Sequence, residues 1–260
     1  MMNESQSRRV ALITGGSRGI GAETALALAG HGYDIAFTYR NKVARANKVL
    51  SVLMQHGGRG LTLPCDMTCS EDVERLFHRL RQWTEHLDTL ILNASGGLER
   101  DLVTDDPDYP VRMNRDAQVL FTDAALSLLR PGSSIVFVTS HWAHLYGQIR
   151  QFPVYEPIAR SKHAGEIALR ARQNEFDARG IRFIVVTGDI IEGTVTPQLL
   201  ARVAPDLIAG RRAKLGGVLP TAADMGREIA QAVTNAVLPS GATVAVGETI
   251  QALLAHSRNG

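Results

Sequence analysis

The chain has 260 residues, of which 28 are basic and 26 acidic, for a formal net charge of +2. That length suits one sizeable α/β domain, and so even a balance argues against a nucleic-acid or anionic-membrane partner. A hydrophobic share of 45% with 21% charged residues is that of an ordinary globular protein. No apolar run approaches the roughly 18 residues of a membrane span, and the polar start MMNESQSRRV lacks the apolar segment of a signal peptide, so a cytoplasmic protein is expected.

In chain order, short β-type runs alternate with helical patterns. The runs are VALIT (10–14), DIAFTY (34–39), LTLPC (61–65), TLILN (89–93), SIVFVTS (134–140), RFIVVT (182–187) and ATVAV (242–246). Each is almost continuously apolar, as expected of a strand covered on both faces. Helical patterns fall near 19–31, 41–56, from Ser70 onward, 112–129, 158–178 and 221–237. Ser70 is the expected cap of its helix, with Glu71 and Asp72 in the first turn. The alternation predicts a Rossmann-type, doubly wound parallel sheet of seven strands in a single domain, 1–260. The segment 195–217 is the least regular and reads as a mobile flap, whose Leu199, Leu200, Val203, Leu207 and Ile208 offer apolar cover for a large flat ligand. Cys65 and Cys69 have no second pair, so plain thiols are expected and no metal site.

The first motif is 14-TGGSRGIG-21, directly after the first strand and opening a helix. Glycines there allow a tight turn and let backbone approach a pyrophosphate at the helix N-terminus. The pattern resembles the cofactor motif of the short-chain dehydrogenase/reductase family, and the likeness runs through almost the whole chain. The resemblance implies cofactor contacts from Gly15, Ser17, Arg18, Gly19, Ile20 and Gly21, and from Asp66 and Met67 beside the adenine ring. It extends to Asn93, Ala94 and Ser95, which resemble the family's N-N-A-G with the second Asn absent, and to Gly188 and Ile190 after the sixth strand. It further implies active-site roles for Asn114, Ser140 and Lys162, and a dimer or tetramer built through the long helices. The second strand ends Tyr39-Arg40-Asn41, with no carboxylate to bind a free ribose 2′-hydroxyl. Arg40 and Arg18 instead suit a 2′-phosphate, so NADPH is the expected cofactor.

The stretch 155-YEPIARSKHAGE-166 departs from the family. In the family a tyrosine four residues before the lysine protonates the carbonyl oxygen. Here Ile158 stands four residues before Lys162, and the nearest tyrosine, Tyr155, is seven residues away with Pro157 between. Between Ser140 and that helix lies an extended segment holding His141, His144, Tyr146 and Tyr155. Four readings follow: Tyr155 folds back into the vacated place; His141 or His144 is the acid; water or the substrate supplies the proton while Ser140 and Asn114 hold the carbonyl; or catalysis is lost and the protein is a silent dinucleotide-binding regulator. The third is the preferred expectation. The pattern resembles atypical aromatic polyketide ketoreductases of the simocyclinone (angucyclinone) type, which lack the tyrosine acid and act on a bulky small-molecule substrate.

Overall fold

Seven apolar runs pair into one parallel sheet in the order β3-β2-β1-β4-β5-β6-β7 in the computed structural model, which describes residues 8–258. The strands are β1 (Val10–Ile13), β2 (Asp34–Tyr39), β3 (Gly60–Pro64), β4 (Leu87–Leu92), β5 (Leu129–Ser140), β6 (Arg182–Gly188) and β7 (Thr243–Val246). All six pairings are parallel, so the doubly wound sheet expected from the alternation is present.

The central strands are largely apolar because successive side chains point to opposite faces and both faces are covered. In β1, Val10 and Leu12 join one core while Ala11 and Ile13 join the other. Phe183 and Val185 of β6 divide from Ile184 and Val186 in the same way. One layer is formed by helices such as Ser70–Trp83 and Ala117–Ala125, where Phe77 and Phe121 meet with ring centroids 5.0 Å apart. The opposite layer is formed by Gly19–Gly30, Val43–Met54 and Ala222–Thr234. Full burial of each such aliphatic or aromatic side chain contributes roughly 1.5–3 kcal/mol, so the two sheet faces dominate stability.

Several expectations change in detail. The helix expected from Ser70 has Cys69 at its cap position, and no side-chain hydrogen bond caps it there. Thr221 does cap its helix, in a reciprocal box with Asp224. The pattern at 158–178 divides into Glu156–Arg170 and Gln173–Ala178. Short helices Arg100–Asp105 and His141–His144 lie in segments read as connections. The pattern near 112–129 begins with a π-helical turn, Arg112–Asp116, where Gln118 Nε2 donates to the Met113 carbonyl at 3.0 Å. The segment 195–217 is regular after all, because Pro205 starts a second helix one residue after the first ends: Val195–Val203 is followed by Pro205–Lys214. Among the described residues no helix is long and apolar enough to cross a membrane.

A third apolar cluster sits beyond the carboxyl ends of β5 and β6. It joins Trp142, Tyr155, Ile158, Ile190 and Leu200, with Leu98, Phe152, Leu207 and Ile208 packed against it. Open α/β sheets bind ligands beyond the carboxyl ends of their strands, at the point where the strand order reverses, which here lies between β1 and β4.

Candidate active site

The glycine turn is shaped by both conformation and space. Gly15 and Gly19 have φ of +69° and +53°, the left-handed region that favours glycine. A Cβ on Gly21 would lie 2.4 Å from the Gly15 carbonyl oxygen and 2.6 Å from Asn93 Nδ2, so only glycine fits there. The first amides of helix Gly19–Gly30 have no intrahelical acceptor and carry the positive end of its dipole. Asn93 braces the turn from the end of β4: its Nδ2 donates to the Thr14 carbonyl at 3.0 Å, and its backbone N–H donates to Thr14 Oγ1 at 2.9 Å.

A cavity of about 610 Å³ runs from this turn across the strand ends. Of the residues expected to hold a cofactor, Gly15, Ser17, Arg18, Gly19, Ile20, Arg40, Asp66, Met67, Asn93, Ala94, Ser95, Lys162 and Ile190 line it. Gly21 and Gly188 do not. Gly21 packs behind the turn, and Gly188 faces Met225 and Ile191. Three cations gather at the β2 end of the lining. Arg40 Nη1 donates to the Tyr109 hydroxyl at 2.8 Å, and Nη2 lies 3.6 Å from Glu99, so part of its charge is already answered. Arg18 and Arg45 have no ion-pair partner among the described residues. Arg45, in the first turn of Val43–Met54, carries no sequence signal as a phosphate reader, because it lies beyond the strand end on a helix face that only the fold turns toward the cavity.

The other arm of the cavity is walled by the third apolar cluster and holds Ser140, Tyr155, Ile158 and Lys162. Ser140 ends β5 and caps the short helix that follows, its Oγ accepting from the Ala143 N–H at 3.2 Å. Tyr155 stands at the cap of helix Glu156–Arg170, with Pro157 in the first turn. Positions 155, 158 and 162 are spaced i, i+3, i+7 and share one face of that helix. The Tyr155 hydroxyl donates to Ser140 Oγ at 3.1 Å. Burial raises the Tyr155 pKa, against a lowering by the Ser140 hydrogen bond. Burial brings the Lys162 ammonium down to about 8, and its Nζ has no hydrogen-bond or ion-pair partner among the described residues.

The remaining proton-donor candidates lie off this surface. His141 is fully buried, with Nδ1 3.0 Å from Thr187 Oγ1, and burial drives its pKa down to about 4. His144 Nδ1 is 2.8 Å from Glu166 Oε1, and the Tyr146 hydroxyl donates to Glu156 Oε1 at 2.5 Å. None of the three lines the cavity. Asn114 does not line it either, which corrects the expectation that it orients the substrate. Its Nδ2 donates to the Gly96 carbonyl and to Ser161 Oγ, both at 2.9 Å, and its Oδ1 accepts from the Gly96 N–H at 3.2 Å. Asn114 thus ties the loop after β4 to the helix bearing Lys162. Gly165 lets that helix close on it, since a Cβ there would lie 2.0 Å from the Asn114 carbonyl oxygen.

The short chain dehydrogenase family model matches residues 9–202. The chain belongs to the short-chain dehydrogenase family. It is 32% identical over 188 residues to the 1-cyclohexenylcarbonyl-CoA reductase of Streptomyces collinus, covering 71% of this chain and 65% of that protein. It is 32% identical over 165 residues to the hydroxynaphthalene reductase-like protein Arp2 of Metarhizium anisopliae, covering 62% of this chain and 60% of that one. The chain therefore spans somewhat under two thirds of each of these relatives. A short chain dehydrogenase from Burkholderia cenocepacia, solved in complex with NADP, superposes with a TM-score of 0.80 at 26% identity, covering 96% of this chain and 100% of that one. Ile158 does stand four residues before Lys162, yet a phenol one turn earlier reaches the serine.

Proposed function

We propose that the protein is an NADPH-dependent ketoreductase acting on a bulky aromatic polyketide of the angucyclinone kind, with Tyr155 as the proton donor. The observation that carries this reading is the Tyr155 hydroxyl on Ser140 Oγ, in the same cavity as Lys162. NADPH, when bound, supplies the hydride. The residues present fit it: the glycine turn offers helix-terminal amides to a pyrophosphate, and Arg18 and Arg45 offer unanswered charge to a 2′-phosphate. The Burkholderia relative was solved with NADP.

Ser140 Oγ accepts from Ala143 and Tyr155, which leaves its own hydrogen to hold a substrate carbonyl. The Tyr155 phenol, kept protonated by burial, donates its proton as the oxygen becomes an alkoxide. Lys162 serves the ribose hydroxyls and adds positive charge that favours the phenolate left behind. Leu98, Trp142, Phe152, Ile158 and Leu200 give this arm an apolar, partly aromatic wall, suited to a flat neutral ring system. The name of the Metarhizium relative includes hydroxynaphthalene. The helix pair at 195–214 supplies the cover through Leu200, Leu207 and Ile208. The side chains of Leu199 and Val203 lie outside the described residues.

The test is to follow nicotinamide absorbance with hydroxynaphthalenones and tetracyclic polyketones, using NADPH and NADH side by side. Turnover with NADPH is expected. Replacing either Arg18 or Arg45 by alanine is expected to weaken NADPH binding about 10- to 100-fold and leave NADH binding little changed, since a charge-assisted contact contributes roughly 1.5–3 kcal/mol. Equal losses for both cofactors would remove the phosphate-reading role. NADPH bound without turnover across the panel would favour a silent regulator.

A further inference from the structure

We propose that Arg211 is a positioning residue that latches the helix pair 195–214 over the cavity by clasping two carboxylates at the carboxyl end of the sheet. The inference rests on the reading of that helix pair as substrate cover. Helix Pro205–Lys214 is otherwise largely exposed, yet Arg211 is only 8% exposed. Its neighbours Arg212 and Lys214 face solvent.

The Arg211 guanidinium meets Asp189 with Nε 2.8 Å from Oδ1 and 3.1 Å from Oδ2, and its Nη2 lies 2.5 Å from Glu248 Oε2. Asp189 directly follows β6 and lines the cavity, and its Oδ1 also accepts the Ile190 N–H at 2.7 Å. Glu248 follows β7. One side chain of the cover is thereby paired with the loops after two adjacent strands, the first of which lines the cavity. Arg211 also lies 5.6 Å from the centroid of the Trp142 ring, a wall of the substrate arm. A planar fork of donors suits two carboxylates and an aromatic face at once, which a lysine ammonium does not. Leu200, Leu207 and Ile208 add apolar contact, but such contact is non-directional, whereas the charge cluster fixes one closed position.

The experiment compares wild type with Arg211→Met, Arg211→Lys and Glu248→Gln by limited trypsin digestion, NADPH binding and steady-state kinetics. In Arg211→Met, cleavage after Arg212 and Lys214 is expected to rise roughly tenfold or more, because cleavage follows the population of the opened segment. The KM for a large aromatic ketone is expected to rise roughly tenfold while kcat changes by less than about threefold. Affinity for NADPH is expected to hold within about threefold, since Arg211 itself does not line the cavity. Arg211→Lys is expected to recover part of both effects. Glu248→Gln, which removes one of the two carboxylate charges, is expected to move both in the same direction by less, and it serves if Arg211→Met does not fold. Flap cleavage and KM unchanged in Arg211→Met would overturn the proposal. So would cleavage rising evenly along the chain together with lost NADPH binding. Faster flap cleavage with no ketone turnover in any variant would leave the latch standing and remove the reductase reading.

Discussion

Tyr155→Phe is expected to lower turnover roughly 100- to 10,000-fold, the usual contribution of a general acid, while NADPH affinity stays at the wild-type value. The substitution removes one oxygen and leaves the ring, so the packing of Tyr155 in the third apolar cluster is retained. Only the hydrogen bond to Ser140 Oγ is lost. His141→Ala, His144→Ala and Tyr146→Phe are each expected to retain turnover within about tenfold, since none of these side chains lines the cavity. Single-turnover absorbance of the nicotinamide, with cofactor affinity measured on the same samples, separates chemistry from binding. Retained turnover in Tyr155→Phe would return the proton to water or to a phenol on the substrate.

Lys162→Met is expected to weaken NADPH binding about 10- to 100-fold, in line with roughly 1.5–3 kcal/mol for charge-assisted hydrogen bonds, and to lower turnover as well. The pH dependence follows from its depressed pKa of about 8. Below that value the lysine is an ammonium and can donate to the ribose; above it the charge is lost. In wild type, kcat/KM for NADPH reports the free enzyme and is expected to fall as pH rises through about 8. Hydroxyls accepting from the ammonium favour its charged form, so the corresponding fall in kcat should sit at higher pH. Lys162→Met should abolish both falls. A pH profile for Lys162→Met that matches wild type would place the titrating group elsewhere.

The sheet was legible because the central strands of a doubly covered parallel sheet are almost continuously apolar, as in VALI and FIVV. The glycine turn was legible because its spacing is imposed by backbone geometry at Gly15, Gly19 and Gly21. Lys162 was found from its R-S-K context and does line the cavity. Tyr155 was harder. Its distance from Lys162 breaks the family spacing, and its position outside the Pro157 turn suggested a flexible approach. The missing fact was tertiary: Ser140, fixed by the pairing of β5 with β6, lies within reach of the helix cap.

Asn114 shows the opposite failure. Its family position suggested contact with substrate, but the π-helical turn directs its amide to Gly96 and Ser161, and nothing in the residues themselves announces such a turn. Arg45 and Arg211 were invisible for a related reason. Each lies on a helix among other cations, and only the fold distinguishes the arginine that faces the cavity, or the one that is buried, from its solvated neighbours.

The most direct measurement of the central claim is the crystal structure of the protein with oxidised cofactor and the alcohol product of its preferred ketone. The expected result places both Tyr155 Oη and Ser140 Oγ within about 2.6–3.2 Å of the product oxygen, the reach a general acid requires. A product oxygen held by water or by its own neighbouring phenol, with Tyr155 turned away, would contradict the account.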